Sequence, residues 1–158
     1  MGRLHQGKLA AKFTGEVLAP LNTVGDKVGC VLDPATNTVT TPPGFKEAYK
    51  QLCEGGWTGL GSDPAYGGQG LPHVVNLAFS EMSSSANMAF SMYPGLTRGA
   101  LAALEFGASD AIKKLYLPKM ASGEWAGTMN LTEPHCGTDL GMLRTKAVPQ
   151  GDGTYKLT

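Results

Sequence analysis

The stretch GTMNLTEPHCGTDLG, residues 127–141, decides how the rest of the chain is read. Residues 127–131 have the composition of a short strand, and Thr132-Glu133-Pro134 predicts a turn. The loop that follows, His135-Cys136-Gly137-Thr138-Asp139, is built of small and hydrogen-bonding residues. Hydroxyls, a turn fixed by proline and a glycine that frees the backbone suit the presentation of N–H and O–H groups to a polar ligand edge. The same composition serves a strand–turn connection with no ligand. Taken alone, the stretch leaves both readings open.

Upstream of it the pattern is helical. Ala10, Phe13, Val17 and Leu21 recur at helical spacing across residues 4–21, with Pro20 expected to limit the end. Residues 22–41 lack a sustained period and predict a long connection with a small extended piece at Thr38–Thr40. Pro42-Pro43 opens a second helix whose apolar stripe is Phe45, Ala48, Tyr49 and Leu52, and Gly55-Gly56 ends it. GWTGLGSDPAYGGQGLP predicts an ordered loop packed by its aromatics. A third helix is expected over residues 72–92, with Ser83-Ser84-Ser85 marking a kink or a close helix contact. Pro94-Gly95 then interrupts, and a fourth helix carries Leu96, Ala100, Leu101 and Leu104 to Gly107. Ser109 has the place of an N-cap for a fifth helix over residues 110–116.

Downstream, residues 144–148 and 154–157 alternate as a hairpin around Gln150-Gly151-Asp152-Gly153. The expected fold is mostly α, a helical domain at residues 1–125 running into the start of a β domain at residues 126–158. A small sheet with open edges is hard to stabilise alone, so the chain is expected to be a fragment of a longer protein.

Composition bounds the function. Apolar content of 42% and charged content of 16% fit a globular domain, and 13 basic against 13 acidic residues imply no face for nucleic acid or membrane lipid. Cys30, Cys53 and Cys136 form no CxxC pair, which argues against a zinc site or a disulfide framework and for free thiols in a reducing compartment. The opening MGRLHQGKLAAKF has no apolar core of signal-peptide type, so a cytoplasmic protein is expected. Gly67-Gly68-Gln69-Gly70 lacks the Lys-Ser/Thr ending of a phosphate loop and reads as a structural turn. His73 reads as a surface residue, His135 as a candidate for ligand proximity, and Cys136 as a packed thiol. Most methionines read as core filler. Met88, Phe90, Met92, Tyr93 and Leu96 fit core packing, or the lining of a narrow apolar pocket.

With the whole chain read, the pattern resembles the amino-terminal part of the acyl-CoA dehydrogenase family. LTEPHCGTD is similar to that family's TEPxAGSD signature, and DPAYGGQGLP, SSANMAFSMYPGLTRGA and YLPKMASGEWAGTMNLTEP support it in the family's order. The bacterial subgroup that includes 3-methylmercaptopropionyl-CoA and longer-chain acyl-CoA dehydrogenases is the nearest likeness. The resemblance implies FAD as cofactor, α,β-dehydrogenation of an acyl-CoA thioester in fatty acid metabolism, electron-transfer flavoprotein as acceptor, and a homo-oligomer at full length. It implies flavin contacts at Met129, Leu131, Thr132 and Thr138, and substrate contacts at Thr138, Met92, Tyr93 and Leu96. His135-Cys136 and Met129 depart from the usual family residues. Glu133 is not expected to be the catalytic base, which the family carries on a later helical domain, so residues 1–158 alone are expected to be inactive. The alternatives are an acyl-CoA oxidase or another flavoprotein of the same fold, or a non-catalytic helical binding module.

Overall fold

The computed structural model describes residues 3–158, so Met1 and Gly2 of the opening segment lie outside the described residues. The chain divides into two compact units, residues 1–128 and 129–158.

The first unit is helical. It begins with α1 (Arg3–Lys12), which continues through a π-helical stretch, Phe13–Leu18, directly into α2 (Ala19–Val28). Pro20 therefore does not end the helix as expected. It is the second residue of α2, just after the π-helical stretch in which the Ala19 N–H donates to the Thr14 carbonyl, and its fixed φ suits the helix. The first half of the expected connection is consequently helical. Its second half is a hairpin, β1 (Val31–Asp33) paired antiparallel with β2 (Thr38–Thr40), in the register Val31 with Thr40 and Asp33 with Thr38.

Helix α3 (Phe45–Glu54) starts two residues after Pro43, and Gly55-Gly56 closes it with Gly56 at φ +70°. The following loop is ordered by aromatics, as expected. The Trp57 ring stacks on Phe79 with centroids 4.6 Å apart, and Phe13 stacks on both at 6.5 Å. In the GGQG turn the Gly68, Gln69, Gly70 and Leu71 N–H groups donate to the carbonyls of Asp63, Gly59, Ser62 and Leu60. Those donors are spent on the fold, which is why this turn is structural.

The long helices break elsewhere than at Pro94. Helix α4 (His73–Ala86) ends at Asn87, and α5 (Met88–Gly107) runs through Pro94. Asn87 is buried with extended backbone. Its Oδ1 accepts the Phe90 N–H at 3.0 Å, capping α5, and its Nδ2 donates to the Leu18 carbonyl at 3.3 Å. Pro94 removes one bond from the α5 ladder, a cost of ~3 kcal/mol, which the burial of Phe90, Ser91, Thr97 and Leu101 on that helix offsets. Ser109 caps α6 (Asp110–Ala121), which extends past the expected end and carries Pro118 inside it.

Two apolar clusters hold this unit. The larger buries Ala10, Phe13, Leu18, Ala48, Leu52, Leu60, Phe79 and Phe90, and the smaller buries Leu101, Leu117 and Met120 beneath Tyr66 and Trp125. Of the methionines read as filler, Met120 is buried and Met82 packs against the larger cluster, whereas Met88, Met92, Met129 and Met142 are exposed. No described helix is long and apolar enough to cross a membrane.

The second unit has a 3-10 turn, Leu140–Met142, and a hairpin of β3 (Ala147–Pro149) with β4 (Tyr155–Leu157). Residues 127–131 are not a strand. Among the described residues their backbone has no ladder partner, and the Gly127 N–H instead donates to Thr97 Oγ1 at 3.1 Å.

Candidate functional site

Glu133 organises the second unit. Its backbone exchanges two hydrogen bonds with Cys136, at 2.9 and 3.1 Å, closing the turn that Pro134 starts. Its carboxylate accepts the Thr145 N–H at 2.9 Å and the Arg144 N–H at 3.0 Å, joining that turn to the chain entering β3. These bonds, from Thr145 first and then Arg144, hold the carboxyl below its ordinary pKa of 4.5, with His135 adding a smaller pull. His135 Nε2 lies 3.0 Å from the Met142 carbonyl, to which the Nε2–H tautomer donates, and 3.4 Å from Glu133 Oε2. Asp139 accepts the Gly141 N–H at 3.0 Å and caps the short turn.

The sequence reading missed this clamp. Its signal was a carboxylate just inside a proline turn, whose partners lie eleven and twelve residues on. Glu133, His135 and Cys136 also bring one ligand-type atom each within 4.8 Å of one another, although no CxxC spacing announces it. The carboxylate and imidazole are engaged by the backbone, and Cys136 is buried, in keeping with a packed thiol.

The clamp leaves other donors outward. Met129, Leu131, Thr132 and Thr138 are all exposed. Among the described residues, the Leu131 N–H and the hydroxyls of Thr132 and Thr138 have no protein acceptor. Gly137 runs close to Thr132: a Cβ on it would lie 3.5 Å from Thr132 Cγ2. The loop thus carries unspent donors on a backbone fixed from within, the condition for recognising the edge of a polar ring.

In the helical unit, the three residues expected to meet substrate share the exposed side of α5. Met92 is 64%, Tyr93 55% and Leu96 38% exposed. They are not core; of the α5 apolar residues singled out from sequence, Phe90 and Leu101 are buried. The reason is register: Phe90, Thr97 and Leu101 take the inward face, which leaves Met92 and Leu96, one turn apart, facing out. Tyr93 meets Tyr49 edge-on at 5.2 Å and lines an apolar groove of about 610 Å³ with Phe45, Phe90, Val39 and Pro42. Sequence reading missed Arg98, which reaches from α5 to Asn76 and Ser80 on α4.

The model of the acyl-CoA dehydrogenase N-terminal domain matches residues 14–124. The chain belongs to the acyl-CoA dehydrogenase family. It is 48% identical over 147 residues to 3-methylmercaptopropionyl-CoA dehydrogenase of Ruegeria pomeroyi, a match covering 93% of this chain and 25% of that protein. Against a butyryl-CoA dehydrogenase of Syntrophomonas wolfei it is 40% identical over 148 residues, 92% of this chain and 24% of the relative. Among solved structures, butyryl-CoA dehydrogenase from Megasphaera elsdenii superposes with a TM-score of 0.79 at 27% identity, over 98% of this chain and 38% of that one. An acyl-CoA dehydrogenase from Bacillus anthracis, solved with FAD, gives 0.74 at 25% identity over 98% and 24% of the two chains. The chain therefore spans about a quarter of the length of the curated relatives it matches.

Proposed function

We propose that this chain forms part of an FAD-dependent acyl-CoA dehydrogenase and supplies one wall of its flavin site. Family membership and the relatives' names support the reaction class. The observation that carries the reading is the set of unspent donors at Leu131 and Thr132 on a loop held by Glu133. When bound, FAD supplies the acceptor for the hydride removed from the β-carbon of the acyl-CoA.

In this reading the Leu131 N–H and the Thr132 hydroxyl face the pyrimidine edge of the flavin, where preorganised donors favour developing negative charge. Met129 packs against the ring system, and the Thr138 hydroxyl meets the pyrophosphate of the cofactor and the CoA. On the helical side, Met92, Tyr93 and Leu96 give an apolar surface for the acyl chain. Glu133 holds the turn and takes no proton from substrate, because its carboxylate is occupied by Arg144 and Thr145. Residues 1–158 alone should not turn over an acyl-CoA. The full-length protein is expected to pass electrons to an electron-transfer flavoprotein as a homo-oligomer in fatty acid metabolism. Three free cysteines support a reducing, cytoplasmic setting.

The test is Thr132→Val in the full-length protein. Loss of one preorganised donor lowers kcat by ~100-fold, and Thr132→Ser restores most of it. Flavin absorbance of the purified variants separates lost cofactor from lost turnover. Unchanged kcat in Thr132→Val would overturn the assignment.

A further inference from the structure

Between α4 and α5 lies a cavity of about 500 Å³, within the range of small-molecule sites. Arg98 and Glu105 both line it, together with Asn76, Ser80 and His73. Each of the two charges lacks its usual complement. The half-buried Arg98 guanidinium donates to Asn76 Oδ1 at 2.9 Å and to Ser80 Oγ at 3.0 Å, both neutral acceptors. Among the described residues no carboxylate pairs with it. Burial pushes its pKa down, the mark of a cation whose surroundings have not replaced its water. Glu105 has a buried carboxylate oxygen, Oε1, with no hydrogen-bond partner.

Arg98 and Glu105 are seven residues apart on α5. Two helical turns put them on one face but ~10 Å apart along the axis, too far to pair with each other. A cation and an acid held separately in one cavity match a ligand that is charged oppositely at its two ends. Gly99 lies in the cavity wall, and a Cβ on it would meet nothing within 4 Å, so there is room there for a larger side chain.

We propose that this cavity binds a small zwitterion of the ω-amino carboxylate class, its carboxylate on Arg98 and its ammonium on Glu105. A bidentate guanidinium–carboxylate pair gives the first contact its strength and direction. The unpartnered Glu105 oxygen gives the second its selectivity, because a ligand without a donor would leave it desolvated and unpaired. His73 and Asn76 at the lining fit a polar ligand better than an acyl chain.

The experiment is titration calorimetry on the full-length protein with glycine, 4-aminobutyrate, 6-aminohexanoate and, as the donor-free control, butyrate. One of the amino acids should bind saturably and about 10-fold more tightly than butyrate. Arg98→Gln should abolish binding of all four, and Glu105→Gln should erase the preference over butyrate. Gly99→Leu, which fills the cavity while leaving both charges, should block binding even if the Arg98 variant folds poorly. No saturable binding by any probe, binding that survives Gly99→Leu, or butyrate binding as tightly as every amino acid would each overturn the proposal. The readout is independent of dehydrogenase turnover, so the flavin assignment stands or falls separately.

Discussion

The helical unit and the residues 129–158 unit are held by different forces. The first has two apolar clusters and a stack of three aromatic rings. The second has a two-stranded hairpin whose strand residues are all exposed, and its order comes from polar bonds gathered on Glu133. Burial is non-directional and sums over many contacts, so the helical unit tolerates prolines inside α5 and α6. Hydrogen bonds are directional and few, so the second unit depends on single residues. The difference suits a loop that presents donors: a fixed turn with an exposed outer edge, rather than a packed interior.

The largest expected effect is on burial. Phe79→Ala removes the ring that stacks on both Trp57 and Phe13 and should cost about 3–5 kcal/mol, read as a lower denaturation midpoint for the helical unit. The Glu133 bonds should be unmoved, so the Arg144 and Thr145 amides should keep their protection where the unit remains folded. Loss of protection there would mean that the two kinds of order are coupled.

Asn87→Ala is the helical unit's own polar test. It removes the cap on Phe90 and the buried bond to the Leu18 carbonyl, together about 2–3 kcal/mol. An effect under ~0.5 kcal/mol, typical of surface sites, would show that burial alone sets the α4–α5 junction.

The smallest global effect and the sharpest local one belongs to Glu133→Gln. Thermal unfolding of the helical unit should hardly change, while hydrogen exchange at Arg144 and Thr145 accelerates. The same bonds carry a pH signature. The folded-state pKa of Glu133 lies below 4.5, so its contribution is complete above the ordinary value and is lost as pH falls through the folded one. Protection of those two amides should follow that curve in the native protein and be flat in the glutamine variant.

Several of these features could be read from residues alone. The stripe Phe45, Ala48, Tyr49 and Leu52, the Ser109 cap, the Thr38–Thr40 piece and the terminal hairpin follow local rules of period, cap and turn, and each is present. The motif around Thr132 gave the family before any geometry. Misreadings came where distant residues decide. Pro20 and Pro94 act as breakers in isolation, yet packing carries the helices through them. Residues 127–131 have strand composition but no ladder partner among the described residues. Met92 and Leu96 are apolar without being buried, because Phe90 and Leu101 set the register of α5.

Helical character, the terminal hairpin and the chemistry types in the loop were legible from the residues alone, since these depend on neighbours within a turn or two. That Asn87 ends α4, that Glu133 is a clamp and not a free acid, and that Arg98 and Glu105 share a cavity emerged only from the folded arrangement. Those outcomes rest on partners up to 69 residues apart, as Asn87 and Leu18 are. Local composition carries no record of which distant group will satisfy a buried donor or charge.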